Sequence, residues 1–532
     1  MSFAKTQIIR LAAAGILSLV PLLANATTVA EAIRSAITGS SSEGSEVDVA
    51  LDPGSLTPRV YALRNYAPAW GDSASVGILF EGLQRGVAQG YRAQDFGLTE
   101  LQALYAAAQS GSVEAQAEFD ILATDAAVTL LHHLVFGKVD PASLDANWNF
   151  TKPVLERDPA LVINEYLNGQ GFGALVTRAT VTHPQYNQLV NALDRYKAIA
   201  AAGGWPTLPT ETVLKPDMTD PAVSVLRARL AAEGEATDTT GDPMLYDSVL
   251  VTAVQDFQSR HGLDPDGVIG PATFASLNQP VEDRINKLRL SLERARWIMQ
   301  GLEGDYVLVN IAGARTYLAR ADGTLWTTRS ITGSAYRKTP VFRDNIQYME
   351  FNPTWTVPNS IFRKDKVPAI RKDIGYLERG GYVVRSRSGE VVSPTSVNWN
   401  EDNPPVTLVQ QPGPKNALGQ VKFMFPNEHA VYLHDTDNRA LFDRSARNLS
   451  SGCVRLEYPF EFANLLMESD PDWSQSKLQS ILNSGKTTRV NLPQPMPVLL
   501  TYWTAWVEEG TVHFREDPYE RDAAILAALN AD

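Results

Sequence analysis

Up to about residue 204 the apolar positions recur at helical spacing, with short polar breaks between runs. Tyr61, Leu63, Tyr66 and Trp70 open the pattern. Val76 to Gln89, Leu101 to Ala108, Ala115 to Phe136, Ala160 to Leu167 and His183 to Ala202 continue it. The stretch before it, 27 to about 55, is rich in Ser, Gly, Thr and Asp and reads as an entry segment. A Pro/Thr-rich linker, Trp205 to Asp217, follows, so residues 27–212 are expected to form one helical scaffold. His132 and His133 are neighbours inside the apolar run. Adjacent residues on a helix point apart, so they read as core or surface histidines and not as a shared metal site.

Three shorter helical runs come next: Val223 to Ala232, Ser248 to His261 and Ala272 to Leu277. Asp-Gly and Gly-Pro turns separate the last two, which predicts a small three-helix module over 213–280. Val281 to Gln300, rich in Arg and Glu, predicts a helix within 281–302 that joins this module to the C-terminal half of the chain. After Gly304 the period switches to two: Tyr306 to Ile311, Ala314 to Ala319, Thr324 to Ile331, Gln347 to Trp355, Val421 to Phe425 and Ala430 to Leu433. Short alternating runs bounded by turn residues predict a β-rich unit over 303–507. Pro358 to Pro414 interrupts it with an amphipathic helix, Ser360 to Arg371, and then a turn-rich stretch. An insertion of that length within a sheet domain suits a lid. Pro497 to Val507 reads as a further strand, and the tail, 508–532, ends in a charged helix, Tyr519 to Leu529. The fold class is therefore α+β and multidomain.

With 532 residues there is material for several cores, and a formal charge of −13 argues against a nucleic-acid binder. Residues 1–26 have the form of a signal peptide: Lys5 and Arg10, an apolar run from Leu11 to Leu23, then Ala24-Asn25-Ala26 as a cleavage site. Cleavage would deliver the rest to an oxidising compartment, and no later run reads as a membrane span. The chain has one cysteine, so it forms no internal disulfide, and a thiol kept there is either buried or used in chemistry.

That cysteine, Cys453, sits in Ser450-Ser451-Gly452-Cys453-Val454-Arg455, nineteen positions after His434, which ends a strand-like run. A thiol becomes a nucleophile when a base or cation stands close, and imidazole is the usual choice. His434 is the candidate base, and the backbone N–H groups of Gly452 and Cys453 are candidate oxyanion donors. The second ring nitrogen of His434 needs an acceptor, a carbonyl or Asp435. Tyr432 shares a strand face with His434 and is a candidate cleft wall. A metal site from His429, His434 and Cys453 is disfavoured: odd spacing puts the two histidines on opposite faces, and no second cysteine completes a tetrahedral set. No cofactor is expected.

His434 followed by Ser450-x-Gly452-Cys453-Val454-Arg455 resembles the signature of the YkuD-type L,D-transpeptidases, cysteine enzymes that cross-link peptidoglycan. The commoner signature has His at the position of Ser451; the Ser-Ser-Gly-Cys form resembles the large YcbB-type periplasmic members. Tyr61 to Trp70 resembles their scaffold. Phe257, Gln258, Gly262, Leu263, Asp266, Gly267, Gly270, Pro271 and Thr273 resemble a peptidoglycan-binding module. The resemblance implies a β-sandwich-like catalytic domain with 358–414 as a capping lid, and Ser450, Ser451 and Arg455 at the substrate. It also implies a thioester formed from tetrapeptide stems with loss of D-Ala, and 3→3 cross-links between diaminopimelate residues. Stem peptides, glycan strands and other cell-wall enzymes are the implied partners, carbapenems the implied inhibitors, and the Gram-negative periplasm the implied location. Arg363, Lys364, Lys366, Arg371 and Lys372 could draw stem-peptide carboxylates to the lid, or form a solvated face. Trp355 reads as packing. A cysteine amidase or endopeptidase, or a non-catalytic wall-binding protein, are the alternatives.

Overall fold

A computed structural model describes residues 28–39, 53–145, 148–150, 155–169, 171–209, 213–238 and 241–531. The expected signal peptide lies outside the described residues.

The scaffold helices are Pro53–Leu63, Ser73–Ala88, Leu98–Ala108, Val113–Phe136, Pro159–Asn168, Phe172–Ala179 and Pro184–Ala201. Asp72 and Ser112 cap two of them by accepting first-turn N–H groups. In the entry segment, Val29–Gly39 is a helix whose Ala32 and Ile33 are buried against Tyr61 and Ala117. The helical spacing of Val29, Ile33 and Ile37 is masked by the polar composition on either side. Val113–Phe136 is, by length and hydropathy, apolar enough to cross a membrane, contrary to the sequence reading. Here Phe119, Ala123, Leu130 and Leu134 put its apolar surface into the scaffold core. The Tyr61 to Trp70 run turns around one buried carboxylate. Asp120 accepts the Tyr61 hydroxyl at 2.6 Å and the N–H groups of Ala69 and Trp70 at 2.8 Å.

In the small module, Pro221–Ala231, Ser248–Arg260 and Pro271–Leu277 close over Val223, Leu226, Leu250, Val254 and Phe257. The Gln258 amide donates to Asp266 at 2.8 Å and to Thr273 at 3.1 Å, and accepts Gly267 N–H at 2.9 Å. These motif residues fasten the Asp-Gly turn.

Val281–Met299 is more than a connector. Its charged residues, which by composition read as solvated, turn inward in pairs. Arg296 donates to Glu293 at 2.9 Å and to the Gln89 carbonyl, while Glu293 accepts Val139 N–H at 2.8 Å. Leu288, Leu292 and Ala295 share one core with Leu189, Leu193 and Tyr196 of the last scaffold helix and with strand Tyr306–Asn310. The helix is a spine between scaffold and sheet.

The strands are β1 (Tyr306–Asn310), β2 (Arg315–Ala319), β3 (Leu325–Gly333), β4 (Phe342–Phe351), β5 (Trp355–Thr356), β6 (Tyr382–Ser386), β7 (Val406–Gln410), β8 (Val421–Met424), β9 (Leu433–His434), β10 (Asn448–Ser450), β11 (Val454–Leu456), β12 (Thr488–Thr501), β13 (Ala505–Glu508) and β14 (Thr511–Phe514). Nine pair in the order β10-β3-β11-β9-β8-β4-β12-β1-β2, and β2 pairs again with β3. The expected two-sheet sandwich is thus replaced by a mixed sheet closed on itself, with β10 outside the ring. The 14-residue β12 makes this possible, because it shifts register between Asn491 and Met496 and serves β4 and β1 on its two edges. The hairpin β13–β14 extends strand structure past 507, and the final helix, Asp522–Leu529, sends Ile525 and Leu529 into the scaffold core. The tail is therefore a strap across two domains.

The insertion is a small folded cap. β5, β7 and β6 form a three-stranded sheet, and Asn359 to Lys372 is a helix with a π turn at Phe362–Lys366. Trp355, Phe362, Ile370, Val384 and Leu408 form its core. Of its basic residues Lys366 is half-buried, while Arg363 and Arg371 are exposed yet bond within the insertion. Lys366 lies over the rings of Trp355, Tyr376 and Tyr382. Arg371 donates to the carbonyls of Trp399, Asn400 and Glu401, and Arg363 to that of Asp402. Lys364 and Lys372 are exposed.

Candidate active site

β9 and β11 lie parallel, with Leu433 opposite Val454 and His434 opposite Arg455. Val454 N–H donates to the Tyr432 carbonyl at 3.1 Å, which continues the register back to Cys453. Alternate residues on a strand share a face, so Cys453, Arg455, Tyr432 and His434 line one side of this pair. The Tyr432 and His434 rings meet edge to face, 5.6 Å between centroids.

Cys453 immediately precedes β11 and follows a turn that needs glycine: Gly452 has φ +122°. Ser450 closes that turn. Its hydroxyl donates to the Cys453 carbonyl at 2.6 Å and accepts Gly452 N–H at 3.1 Å. Ser450 is therefore a buried brace of this turn, and Gly452 N–H is committed to it. Ser451 is exposed and accepts a 2.8 Å bond from Arg337. Thr339 accepts Gly333 N–H at 2.9 Å and donates to the Gly452 carbonyl at 2.7 Å. A side chain on Gly333 would collide with the backbone of Arg337 and Thr339, so this close approach depends on glycine there.

The thiol points to the Ala430 carbonyl, 3.8 Å from Sγ. Burial pushes the Cys453 thiol above its ordinary value, against the pull of hydrogen bonds from Tyr432 and the charge of Arg455. The Tyr432 hydroxyl also meets the Trp355 side chain, so a residue read as packing also joins the cap to the site. His434 is buried, and its Nδ1 donates to the Asp435 carbonyl at 2.5 Å. Of the two acceptors foreseen, the carbonyl is the one used. The Asp435 carboxylate instead accepts Gln420 N–H at 2.9 Å and Arg439 at 3.1 Å. Burial, with Arg455 opposite, drives His434 down to about 3. At neutral pH the pair is a thiol and a neutral imidazole. They share a face without being hydrogen-bonded to each other.

Arg455 bonds Thr436 at 3.4 Å, and its buried Nε has no partner among the described residues. His429 packs on Phe342, 4.8 Å between ring centroids, and no trio of His, Cys, Asp or Glu among the described residues is placed to hold a metal. Sequence reasoning missed Arg337 and Thr339. The only signal was a basic, hydroxyl-bearing run, Tyr336-Arg337-Lys338-Thr339, soon after a strand ending in glycine.

Residues 304–478 match the L,D-transpeptidase catalytic domain of the YkuD family, residues 55–193 a scaffold domain, and residues 219–277 a family described as "Putative peptidoglycan binding domain". A curated protein of Haemophilus influenzae named "Putative L,D-transpeptidase" is 35% identical over 248 residues, 46% of this chain and 50% of that protein. The match spans about half the length of that relative. Among solved structures, an L,D-transpeptidase from Mycobacterium smegmatis aligns at 11% identity over 37% of this chain and 58% of its own, with TM-score 0.19. One from Xylanimonas cellulosilytica aligns at 16% identity over 55% and 98%, with TM-score 0.18. Residues 304–478 are thus an L,D-transpeptidase catalytic domain of the YkuD family, carried in one chain with a peptidoglycan-binding domain.

Proposed function

We propose that this chain is a periplasmic cysteine L,D-transpeptidase that makes 3→3 cross-links in peptidoglycan, with Cys453 as nucleophile and His434 as base. The observation that carries the reading is the shared face of β9 and β11, where the only thiol lies beside a cation, a phenol and a buried neutral imidazole.

On binding of a tetrapeptide stem, the thiol turns from the Ala430 carbonyl and gives its proton to Nε2 of His434, the nitrogen opposite the bond to Asp435. The thiolate attacks the carbonyl of the third residue. The tetrahedral oxyanion is received by Cys453 N–H, which has no hydrogen bond among the described residues, and by Gly452 N–H once released from Ser450. The C–N bond breaks, D-Ala leaves as the amine with the proton from His434, and a thioester remains. The side-chain amine of a second stem then attacks the thioester, loses its proton to His434, and the thiolate leaves. Arg455 favours each anionic stage. The cap keeps water from the thioester, which favours transfer over hydrolysis. Carbapenems would acylate the same sulfur.

Incubation of the mature protein with disaccharide-tetrapeptides should yield 3→3 dimers and D-Ala, and Cys453→Ala should yield neither. Dimers formed by the Cys453→Ala chain would remove the assignment.

A further inference from the structure

Between the scaffold, the spine helix and the tail lies a cavity of about 330 Å³. Neither Cys453 nor His434 lines it. Trp148, Tyr502, Trp503 and Tyr519 give it aromatic walls. Three lining residues carry a buried donor with no partner among the described residues: Trp297 Nε1, Trp503 Nε1 and Arg294 Nη2. The other guanidinium nitrogen of Arg294 is held by Asp522 at 2.7 Å, so the free one is fixed in place. Lys338 adds an ammonium that bonds the Tyr519 carbonyl at 2.9 Å and has no carboxylate partner among the described residues. Glu520, also on the lining, is exposed and unpaired among the described residues, and sits in the left-handed region at φ 57°. Non-glycine residues hold that conformation at a cost and cluster at functional sites.

Buried donors with no acceptor are mismatched until something supplies one. A carboxylate suits the cations of Arg294 and Lys338 and the N–H of Trp503, an ammonium suits Glu520, and an apolar side chain suits the aromatic wall. We propose that this cavity binds a small zwitterionic amino acid with an apolar or aromatic side chain, and that its occupancy is felt at Cys453. The link is continuous. Lys338 holds the backbone of Tyr519. The Tyr519 hydroxyl accepts Thr339 N–H at 3.0 Å and donates to the Gly333 carbonyl at 2.6 Å, and Thr339 holds the Gly452 carbonyl at 2.7 Å. Each partner in this chain is buried except Lys338, which meets the ligand.

Phenylalanine is the probe, titrated by calorimetry into the full chain whose sole thiol has been capped with iodoacetamide to keep the cleft occupied. N-acetylphenylalanine lacks the ammonium and phenylalanine methyl ester lacks the carboxylate. Phenylalanine should bind saturably, and each blocked form at least about tenfold more weakly, as expected for loss of a charge-assisted contact. Lys338→Gln should weaken binding about tenfold, and Trp503→Phe, which keeps the ring and removes the N–H, about fivefold. In the uncapped chain, phenylalanine should change the rate of Cys453 alkylation, and Lys338→Gln should abolish that change. Absence of saturable binding below about 10 mM overturns the site. So does equal binding by the two blocked forms, or binding untouched in both variants with unchanged melting temperature. Binding without any change in alkylation overturns the coupling. Neither readout uses cross-linking, so the outcome does not depend on the transpeptidase reading.

Discussion

Arg337 clasps Asp365 with both guanidinium nitrogens, at 2.7 and 3.0 Å, and with one of them also holds Ser451 at 2.8 Å. Asp365 lies in the π turn of the cap and Ser451 two residues before the thiol. Among the described residues this is the ion pair that ties cap to catalytic sheet. The pair is partly exposed, 28% for Arg337 and 43% for Asp365, so its worth to global stability is below about 1 kcal/mol. Its worth should show in the cap. Asp365→Asn is expected to leave the melting temperature within a degree or two and to raise the ratio of hydrolysed tripeptide to cross-linked dimer several-fold, by admitting water to the thioester. An unchanged product ratio from a folded Asp365→Asn chain would show that the cap is held by other contacts.

Protonation at the site follows from burial. With the Cys453 thiol above its ordinary value and His434 down at about 3, the rate of thiol alkylation should climb with pH into the alkaline range, without the inflection near 6.5 that an ordinary histidine gives. Rates measured with iodoacetamide from pH 4 to 10 check this. A plateau reached by pH 7 would mean that a thiolate–imidazolium pair is already formed in the resting enzyme.

Buried histidines, His434 among them, also bear on stability. His434, His133 and His513 are each lowered to about 3, burial being the largest cause at all three. The unfolded chain takes up protons near 6.5 while the folded chain does not, so stability is fully present above pH 6.5 and falls as pH drops toward 3. Calorimetric melts between pH 7 and pH 4 should show a steady decrease. A melting temperature flat across that range would mean that these rings take up protons in the folded state.

The Tyr432 hydroxyl donates toward the sulfur and meets Trp355 of the cap. Tyr432→Phe keeps the ring that packs against His434 and removes that donor. Loss of a hydrogen bond to an anionic sulfur should slow acylation about tenfold and raise the thiol pKa further, with little effect on folding. The alkylation profile separates the two readings of Tyr432: a shifted profile marks contact with the thiolate, an unshifted one a cleft wall.

Much of this is legible in the sequence because it is local. The change of period at Gly304, the turn at Gly452 and the alternation that puts Tyr432 and His434 on one strand face are all written within short stretches, where spacing decides which side chains share a face. The contacts that escape such a reading are non-local. Arg337 reaches Ser451 and Asp365, Thr339 reaches Gly452, and Tyr519 reaches Gly333, each across a gap in sequence that no period records. The spine helix departs from its sequence reading for a related reason. Charge on a helix normally marks a wet face, and only the partners Gln89, Val139 and Glu293 reveal that Arg296 points inward. Ring closure of the sheet rests on β12 pairing with β4 on one edge and β1 on the other, a non-local arrangement that no period records.

Glu233 tests how firmly the peptidoglycan-binding module is joined to the rest. It is fully buried, accepts the Tyr196 hydroxyl of the scaffold at 2.9 Å, and pairs with Arg229 at 2.9 Å and Arg260 at 3.0 Å. Burial alone would raise its carboxyl, but the two guanidinium groups hold it at about 2. Its contribution is present above pH 4.5 and lost only as pH falls through about 2, so the junction should survive mild acid. Glu233→Gln leaves two buried cations with less compensation, and removing one member of such a network costs on the order of 3–5 kcal/mol. Because the loss falls at the interface, the module should melt separately from scaffold and sheet, and protease should cut within the linker that precedes it. A single cooperative melt for the Glu233→Gln chain, at the wild-type temperature, would show that Arg260 is satisfied by Glu235 alone, 2.7 Å away, and that packing around Trp205 and Phe257 carries the junction.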